Sequence, residues 1–502
     1  MEEREQWGSR AGFIFAAIGS AIGLGNIWRY PYIAYDNGGG AFLIPYLFAL
    51  LTAGIPILIL EYAIGQKMRG SSPLSFRRLS EKWEWLGWWQ VGICYFIVTY
   101  YMVIIGWALS FTYFSIGRQW GEDTQAFMLG DYLGYLNVAG NIWTPGGFRW
   151  QVLVPLVLAW AVTYWILFRG IRRGIQVANT IMIPVLIVIM IIITIRGVTL
   201  PGAAAGLNAL LEPNWAAMAD PKVWVNAYGQ IFFSLSIAFG IMITYASYLP
   251  KKSDVANNAF ISAFANSGFE FLAALGVFGA LGYLATLQGV PVEEVARSGV
   301  VLAFIVFPEI INHFPAFNDL FGALFFGALT LAGLTSAISI AEVCITAVKE
   351  KFGMTRTAAV NWVCGFGFLG SLLFVTQAGL GYLDIVDAFI NNYGIVLAGI
   401  VEVVLMAWVY KLVAMREHIN LVSDLRIGLW WDFCLKFITP IVLITMSGYN
   451  LYNELFVQHY GGGDYTFGQV LLFGWGSALI AFLIGFVFQR FRWQGEGVLM
   501  RR

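Results

Sequence analysis

Histidine and charge are both scarce in this 502-residue chain: it has three histidines and 12% charged residues against 59% apolar ones. A soluble domain usually carries about 25% charged residues, so a soluble globular fold does not fit. The 29 basic and 29 acidic residues cancel, which removes any case for a nucleic-acid partner. His313, His418 and His459 fall outside the apolar segments and read as solvated loop residues. No histidine is left for catalysis within a membrane. Cys94, Cys344, Cys364 and Cys434 all fall inside apolar segments. No extracellular disulfide is therefore expected, and CxxC metal spacing is absent. With no nucleophile–base or metal constellation, the chain does not read as an enzyme.

What the chain has is long apolar runs. A membrane helix needs roughly 20 apolar residues. Twelve segments qualify, near 10–35, 40–66, 86–117, 150–168, 174–196, 223–248, 256–287, 318–348, 357–376, 381–411, 427–452 and 466–489. Lysine and arginine collect in alternate connections, at Lys67 to Lys82, Arg169 to Arg173, Lys251 and Lys252, Lys349 to Arg356, and Lys411 to Arg426. The other connections hold only Arg118, Arg149, Arg196, Lys222 and Arg297. The positive-inside rule then puts both termini in the cytoplasm of a multi-pass plasma (inner) membrane protein. The first apolar stretch is too long, and too broken by glycine, to be a cleavable signal peptide.

That first stretch contains Gly19-Ser20-Ala21-Ile22-Gly23-Leu24-Gly25-Asn26. Glycines are poor helix formers, and Ser20 and Asn26 are polar where lipid would penalise them. Broken backbone at membrane depth survives only beside protein or a wet cavity. It frees carbonyls and amides for a ligand at the midplane, as in secondary transporters. The sixth segment, Gln230 to Gly240, has the same character, with Ser234 and Ser236 at its centre. The pair suggests two inverted five-helix halves, residues 10–196 and 223–411, with 427–489 outside the repeat. Two external connections, 118–149 and 288–317, are long enough to act as lids. Within the second, one short helix is expected over Val292–Phe304, led by Pro291, and another over Val306–His313.

Intramembrane polar groups mark function by default. Asn26, Ser234, Asn266, Thr335 and Ser336 are neutral oxygen donors. With freed carbonyls they suit a hard monovalent cation such as sodium; zinc or copper would prefer nitrogen and sulfur. Gly23-Leu24-Gly25 is not a nucleotide loop: the third glycine of GxGxxG is replaced by Trp28, and no strand precedes it.

The stretches GSAIGLGNIWRYPYIAYDNGGGAFLIPY, GQIFFSLSIAFGIMITYASY and LAGLTSAISI closely resemble the neurotransmitter:sodium symporter family, and within it the bacterial amino-acid branch typified by the bacterial leucine transporter. The resemblance runs from Arg4 to about Glu402. It implies an all-α membrane protein of twelve transmembrane helices with a five-plus-five inverted repeat, helices 1 and 6 broken at mid-membrane. It also implies sodium-coupled symport by alternating access. A non-transporting amino-acid sensor or channel on the same scaffold is the competing reading.

By the same resemblance, two sodium ions bind. The first site would use Ala21, Asn26, Ser234 and Asn266, and the second Gly19, Ile22, Ala332, Thr335 and Ser336. Ser234 stands where the leucine transporter has threonine. The substrate pocket would be lined by Ser20, Ala21, Gly23, Gly25, Ile97, Tyr101, Phe233, Ser234, Ser236, Phe239, Ser336 and Ile340. Gly23 takes the place of the aspartate of monoamine carriers, which favours a substrate that brings its own carboxylate. Ile97, Phe239 and Ile340 form an apolar pocket suited to neutral aliphatic amino acids. Ile97 is larger than the leucine transporter's valine, and Ala238 replaces a glycine beside the pocket, so the space is expected to be slightly tighter. Arg29 and Asp387 would form the external gate, with Tyr101 and Phe239 beneath. Arg4, Trp7, Tyr248 and Glu350 would form the cytoplasmic gate, Glu350 replacing an aspartate. Glu61 would brace the unwound part of segment 6, and Glu342 replaces a glutamine. No obligatory protein partner is implied beyond the amino-acid substrate and the bilayer.

Chloride-dependent relatives bind the anion between positions matching Tyr46, Gln230, Ser234 and a serine on segment 7. Here the segment-7 position is Glu270, one helical turn beyond Asn266. A carboxylate there supplies the negative charge chloride would bring, in a site where uncompensated charge is costly. Transport is expected to be chloride-independent. After sodium leaves, Glu270 would return protonated, adding proton antiport.

Overall fold

The computed structural model describes residues 5–138, 141–410 and 412–494. The described residues are almost entirely helical; their β-pairing is limited to two isolated bridges, Gly39 with Pro213 and Phe148 with Thr376. The chain begins with α1 (Arg10–Ala21), α2 (Leu24–Trp28) and α3 (Tyr30–Asp36). Then come α4 (Gly40–Met68), α5 (Glu81–Phe114), α6 (Trp150–Phe168) and α7 (Ile171–Val198). A second interrupted segment follows as α8 (Pro221–Ser234) and α9 (Ile241–Ala246). The remainder is α10 (Ala256–Gln288), α11 (Gly299–Asn312), α12 (Asn318–Phe352), α13 (Arg356–Val375), α14 (Gly379–Val409), α15 (Leu429–Val457) and α16 (Phe467–Arg490). Ten of these are long and apolar enough to cross a membrane. Counting α1–α3 and α8–α9 as one interrupted span each gives the expected twelve.

Burial sorts the spans into an inner and an outer set. The most apolar stretches of α4, α5, α10 and α12 are 72%, 83%, 72% and 78% buried, whereas those of α6, α7 and α16 are 39%, 33% and 28% buried. The outer helices present side chains such as Val188 and Leu479 outward, as a lipid-facing surface requires. The inner helices surround the two interruptions, with α12 packed most extensively against α5.

Each interruption has a local cause. At the first, Ile22 and Gly23 are extended, and the Asn26 side-chain oxygen accepts the Gly23 N–H at 2.8 Å. An asparagine that satisfies nearby backbone competes with the helix ladder. At the second, Ser236, Ala238 and Gly240 have φ of 52°, 66° and 72°. Only the last is a residue that adopts this conformation without strain.

The external connection departs from expectation. The helix expected over Val292–Phe304 is a single turn, Val292–Val295. The chain then breaks at 296–298, where Ser298 is extended and Gly299 takes φ 61°. The second helix runs unbroken over Gly299–Asn312, through the point where the two were expected to part. Pro308 is tolerated because a π-helical turn, Leu302–Val306, precedes it and changes which carbonyl would need its missing N–H. The other long connection is tied to it through its described residues. Trp120 is buried and donates from Nε1 to Asn312 at 2.9 Å, joining the two loops. His418 is not a loop residue: it lies in the helix Leu412–Val422, half-buried, 3.1 Å from Gln66 Oε1.

Candidate functional site

A helix end leaves backbone groups without intrahelical partners, and here the ends meet in the protein interior. The Ser20 carbonyl, at the end of α1, accepts hydroxyls from Ser236 (2.9 Å) and Ser336 (3.1 Å). Three elements, α1, the α8–α9 break and α12, thus converge on one carbonyl. The Ser20 hydroxyl beside it is buried without a partner among the described residues. At the start of α2, the Leu24 N–H points at the Tyr101 hydroxyl, 3.1 Å away. A carbonyl end and an amide end therefore face the same space, which complements an ammonium or cation on one side and an anion on the other.

Glycine keeps that space open. A methyl group added at Gly23 would lie 2.9 Å from the Tyr101 hydroxyl and 3.4 Å from the Ser336 hydroxyl, whereas at Gly25 it would meet nothing within 4 Å. Ile97, Phe239 and Ile340 are all buried, on α5, the α8–α9 break and α12. The Phe239 carbonyl is held by the Cys94 thiol at 3.2 Å. Ala21 and Ser234 are buried as well.

The oxygen-rich cluster expected around Asn26 is assembled. Asn26 Nδ2 lies 2.8 Å from Asn266 Oδ1, 3.5 Å from Ser234 Oγ and 3.3 Å from Glu270. Asn266 in turn donates to Ser234. Glu270 is wholly buried and accepts from Gln230 (2.7 Å) and the Tyr46 hydroxyl. The oxygens gathered here are Ser234 Oγ, Asn266 Oδ1 and the Glu270 carboxylate, a set that fits a hard monovalent cation, while the Asn26 oxygen is turned to the Gly23 N–H. The second expected cluster is less converged. Thr335 Oγ donates to its own helix at Leu331 and Ala332, both 3.1 Å, which leaves its lone pairs free to ligate. Gly19 lies against Asn179, a buried side chain the sequence reading missed; its Oδ1 has no partner among the described residues. An asparagine amid α7's apolar residues was the available signal.

The two gates differ. Trp7 bonds to the Tyr245 carbonyl through Nε1 (2.8 Å) and to the Tyr248 carbonyl through its N–H (3.2 Å), and Glu350 accepts the Ser71 N–H at 2.9 Å. Arg4 lies outside the described residues. On the opposite side the expected Arg29–Asp387 pair is not a direct contact. Arg29 stacks over Phe233 at 4.4 Å, and Asp387 accepts from Asn391 at 2.7 Å.

Two other buried acids contact backbone or an arginine. Glu61 accepts the Ala238 N–H at 2.5 Å, inside the α8–α9 break, as expected. Glu342 is held by Arg356 in two contacts of 3.1 and 2.7 Å, with Tyr248 (2.9 Å) and Thr346 (2.8 Å) alongside. The sequence reading missed Arg356, and also Gln90, which donates to buried Glu402 at 2.6 Å.

Paired helix interruptions enclosing an oxygen-donor cluster, inside twelve spans, define a multi-pass membrane transporter. A family model described as the sodium:neurotransmitter symporter family matches residues 4–131 and 131–494. The chain belongs to that family. It is 40% identical over 490 residues to an uncharacterized sodium-dependent transporter of Methanocaldococcus jannaschii, covering 98% of each chain. It is 32% identical over 476 residues to the sodium- and chloride-dependent GABA transporter 2 of Homo sapiens, covering 88% of this chain and 79% of that one. Against the sodium- and chloride-dependent creatine transporter 1 of Bos taurus the identity is 32% over 525 residues, covering 96% and 82%.

Proposed function

We propose that this sodium-dependent transporter imports neutral aliphatic amino acids by symport with two sodium ions, without chloride, and with Glu270 carrying a proton back. Both termini lie in the cytoplasm, and residues 10–196 and 223–411 act as inverted halves that alternate access around the broken helices. The observation that carries the reading is the side-chain-free backbone at Gly23 and Gly25, where Gly23 lies close under the Tyr101 and Ser336 hydroxyls and Gly25 borders open space. Such a space suits a ligand that supplies its own carboxylate. Asn26, Ser234, Asn266 and the Ala21 carbonyl would hold one sodium beside that carboxylate, so that ion and substrate stabilise each other. Thr335 and Ser336, with the carbonyls of Gly19, Ile22 and Ala332, would hold the other. Glu270, bonded to Asn26 in the same cluster, supplies the fixed negative charge that makes chloride unnecessary. Ile97, Phe239 and Ile340 would receive the aliphatic side chain.

Uptake of a radiolabelled amino-acid panel into proteoliposomes tests this. It should require sodium, favour aliphatic side chains, and rise with an inside-negative potential. One charge crossing 100 mV contributes about 2.3 kcal/mol, equivalent to roughly 50-fold accumulation. Equal uptake in sodium and in choline would refute the coupling.

A further inference from the structure

Four arginines occupy the outer connections, and three are anchored. Arg118 stands 3.8 Å from Asp319, Arg149 donates to the Tyr132 carbonyl at 3.0 Å, and Arg297 donates to the Ala296 carbonyl at 2.8 Å. Arg196, in the last turn of α7, has no hydrogen bond or ion pair to its guanidinium among the described residues. It lies only against rings, Phe314 at 5.3 Å and Phe321 at 5.6 Å, and its Nε is buried and unpaired. It lines a cavity of about 20 Å³ between α7, α10, α12 and the α11 connection. That volume admits roughly one water-sized group.

The approach to this cavity is apolar. Below Arg196, α7 turns Val188, Ile192 and Ile195 outward, 56%, 41% and 58% exposed, and Leu320 on α12 is 54% exposed. A helix face of this kind, topped by a cation at the outer end of a span, has the profile of a phospholipid: apolar chains below, an anion above. We propose that Arg196 binds the phosphate of an anionic phospholipid of the outer leaflet, whose acyl chains lie along Val188, Ile192 and Leu320. A phosphate oxygen would give Nε the acceptor it lacks, and guanidinium matches phosphate in a fork geometry. A zwitterionic lipid brings its own ammonium group, which competes for the same phosphate. Phe314 belongs to the connection after α11, and Phe317, with φ 61°, joins that connection to α12. The lipid therefore sits at the base of the candidate outer lid. The inference is independent of the amino-acid reading and rests on the proposed orientation, with both termini in the cytoplasm.

The test is native mass spectrometry of the purified full chain titrated with phosphatidylglycerol or with phosphatidylcholine of the same chains. Phosphatidylglycerol should bind the native protein about tenfold more tightly than it binds Arg196→Gln, the loss expected for one bond to a charged group. Arg196→Lys should retain part of the preference, and Arg118→Gln all of it. Inorganic phosphate at matched concentration should leave lipid binding unchanged. Equal retention of the two lipids, native-level binding by Arg196→Gln, or displacement by inorganic phosphate would each overturn the proposal. A photoactivatable phosphatidylglycerol on the native protein provides an arm free of folding defects. It should label residues 188–199 and 314–325, and labelling confined to other helices would overturn the assignment.

Discussion

Arg29 and Asp387 carry opposite charges on one side of the central cluster, yet each is engaged elsewhere, Arg29 over the Phe233 ring and Asp387 with Asn391. On the opposite side Trp7 is already bonded to the Tyr245 and Tyr248 carbonyls. The molecule is thus fastened at one end while the charged pair at the other stays apart. An ion pair that forms in one state and not in another acts on the equilibrium between states. Arg29→Ala and Asp387→Ala should therefore lower turnover more than sodium affinity. The check is a comparison of equilibrium sodium binding with proteoliposome uptake; wild-type uptake by both variants would remove them from the gate.

Ser336 joins α12 to the end of α1 through the Ser20 carbonyl. Its hydroxyl also faces Gly23. Ser336→Ala should weaken both sodium and substrate binding, because a lost bond to a charged group costs about 1.5–3 kcal/mol. That is on the order of 10–100-fold in affinity. A scintillation-proximity assay reads it directly, and wild-type affinity would refute the double role.

Glu342 and Arg356 form a buried pair, 0% and 12% exposed. Glu342→Gln leaves the guanidinium with the Leu167 carbonyl and the more exposed Glu5, 4.0 Å away, and breaking such a pair typically costs about 3–5 kcal/mol. The apparent melting temperature in detergent should fall clearly. The double variant Glu342→Gln with Arg356→Gln should recover part of the loss, because it buries no unpaired charge. Unchanged melting in the single variant would show that the pair contributes nothing.

Glu270 is wholly buried among Asn26, Gln230 and Tyr46. Uptake in gluconate should equal uptake in chloride for the native protein. Glu270→Ser removes the fixed charge and should become chloride-stimulated. A native protein that requires chloride would overturn the charge-compensation argument.

The features legible in the sequence were those with a local signature. Glycines and polar residues within apolar runs marked both interruptions, and the four-residue spacing of Asn266 and Glu270 put both on one face of α10. Partnerships across the chain were not legible. Gln90 and Glu402 are 312 residues apart, and nothing near either residue names the other. The outer connection failed for a different reason. The valines and alanine around the break, Val292, Val295 and Ala296, are apolar because they are buried, not because the segment is helical. The separation of Arg29 from Asp387 belongs to one conformation, and a sequence encodes all conformations at once.

Ser236 and Ala238 hold left-handed backbone angles with side chains attached. A glycine in their place would roam a wider region of φ and ψ, and fixing it would cost more conformational entropy. A residue with a Cβ has fewer alternatives to lose, but at these angles it also carries steric strain that the surrounding contacts must offset. Packing of the Ala238 side chain near Gly399 and the bond from its N–H to Glu61 narrow the choice further. The interrupted segment is therefore a stiff joint, not a loose coil. A ligand arriving there finds much of the ordering already done, so more of its contact energy is left to appear as affinity.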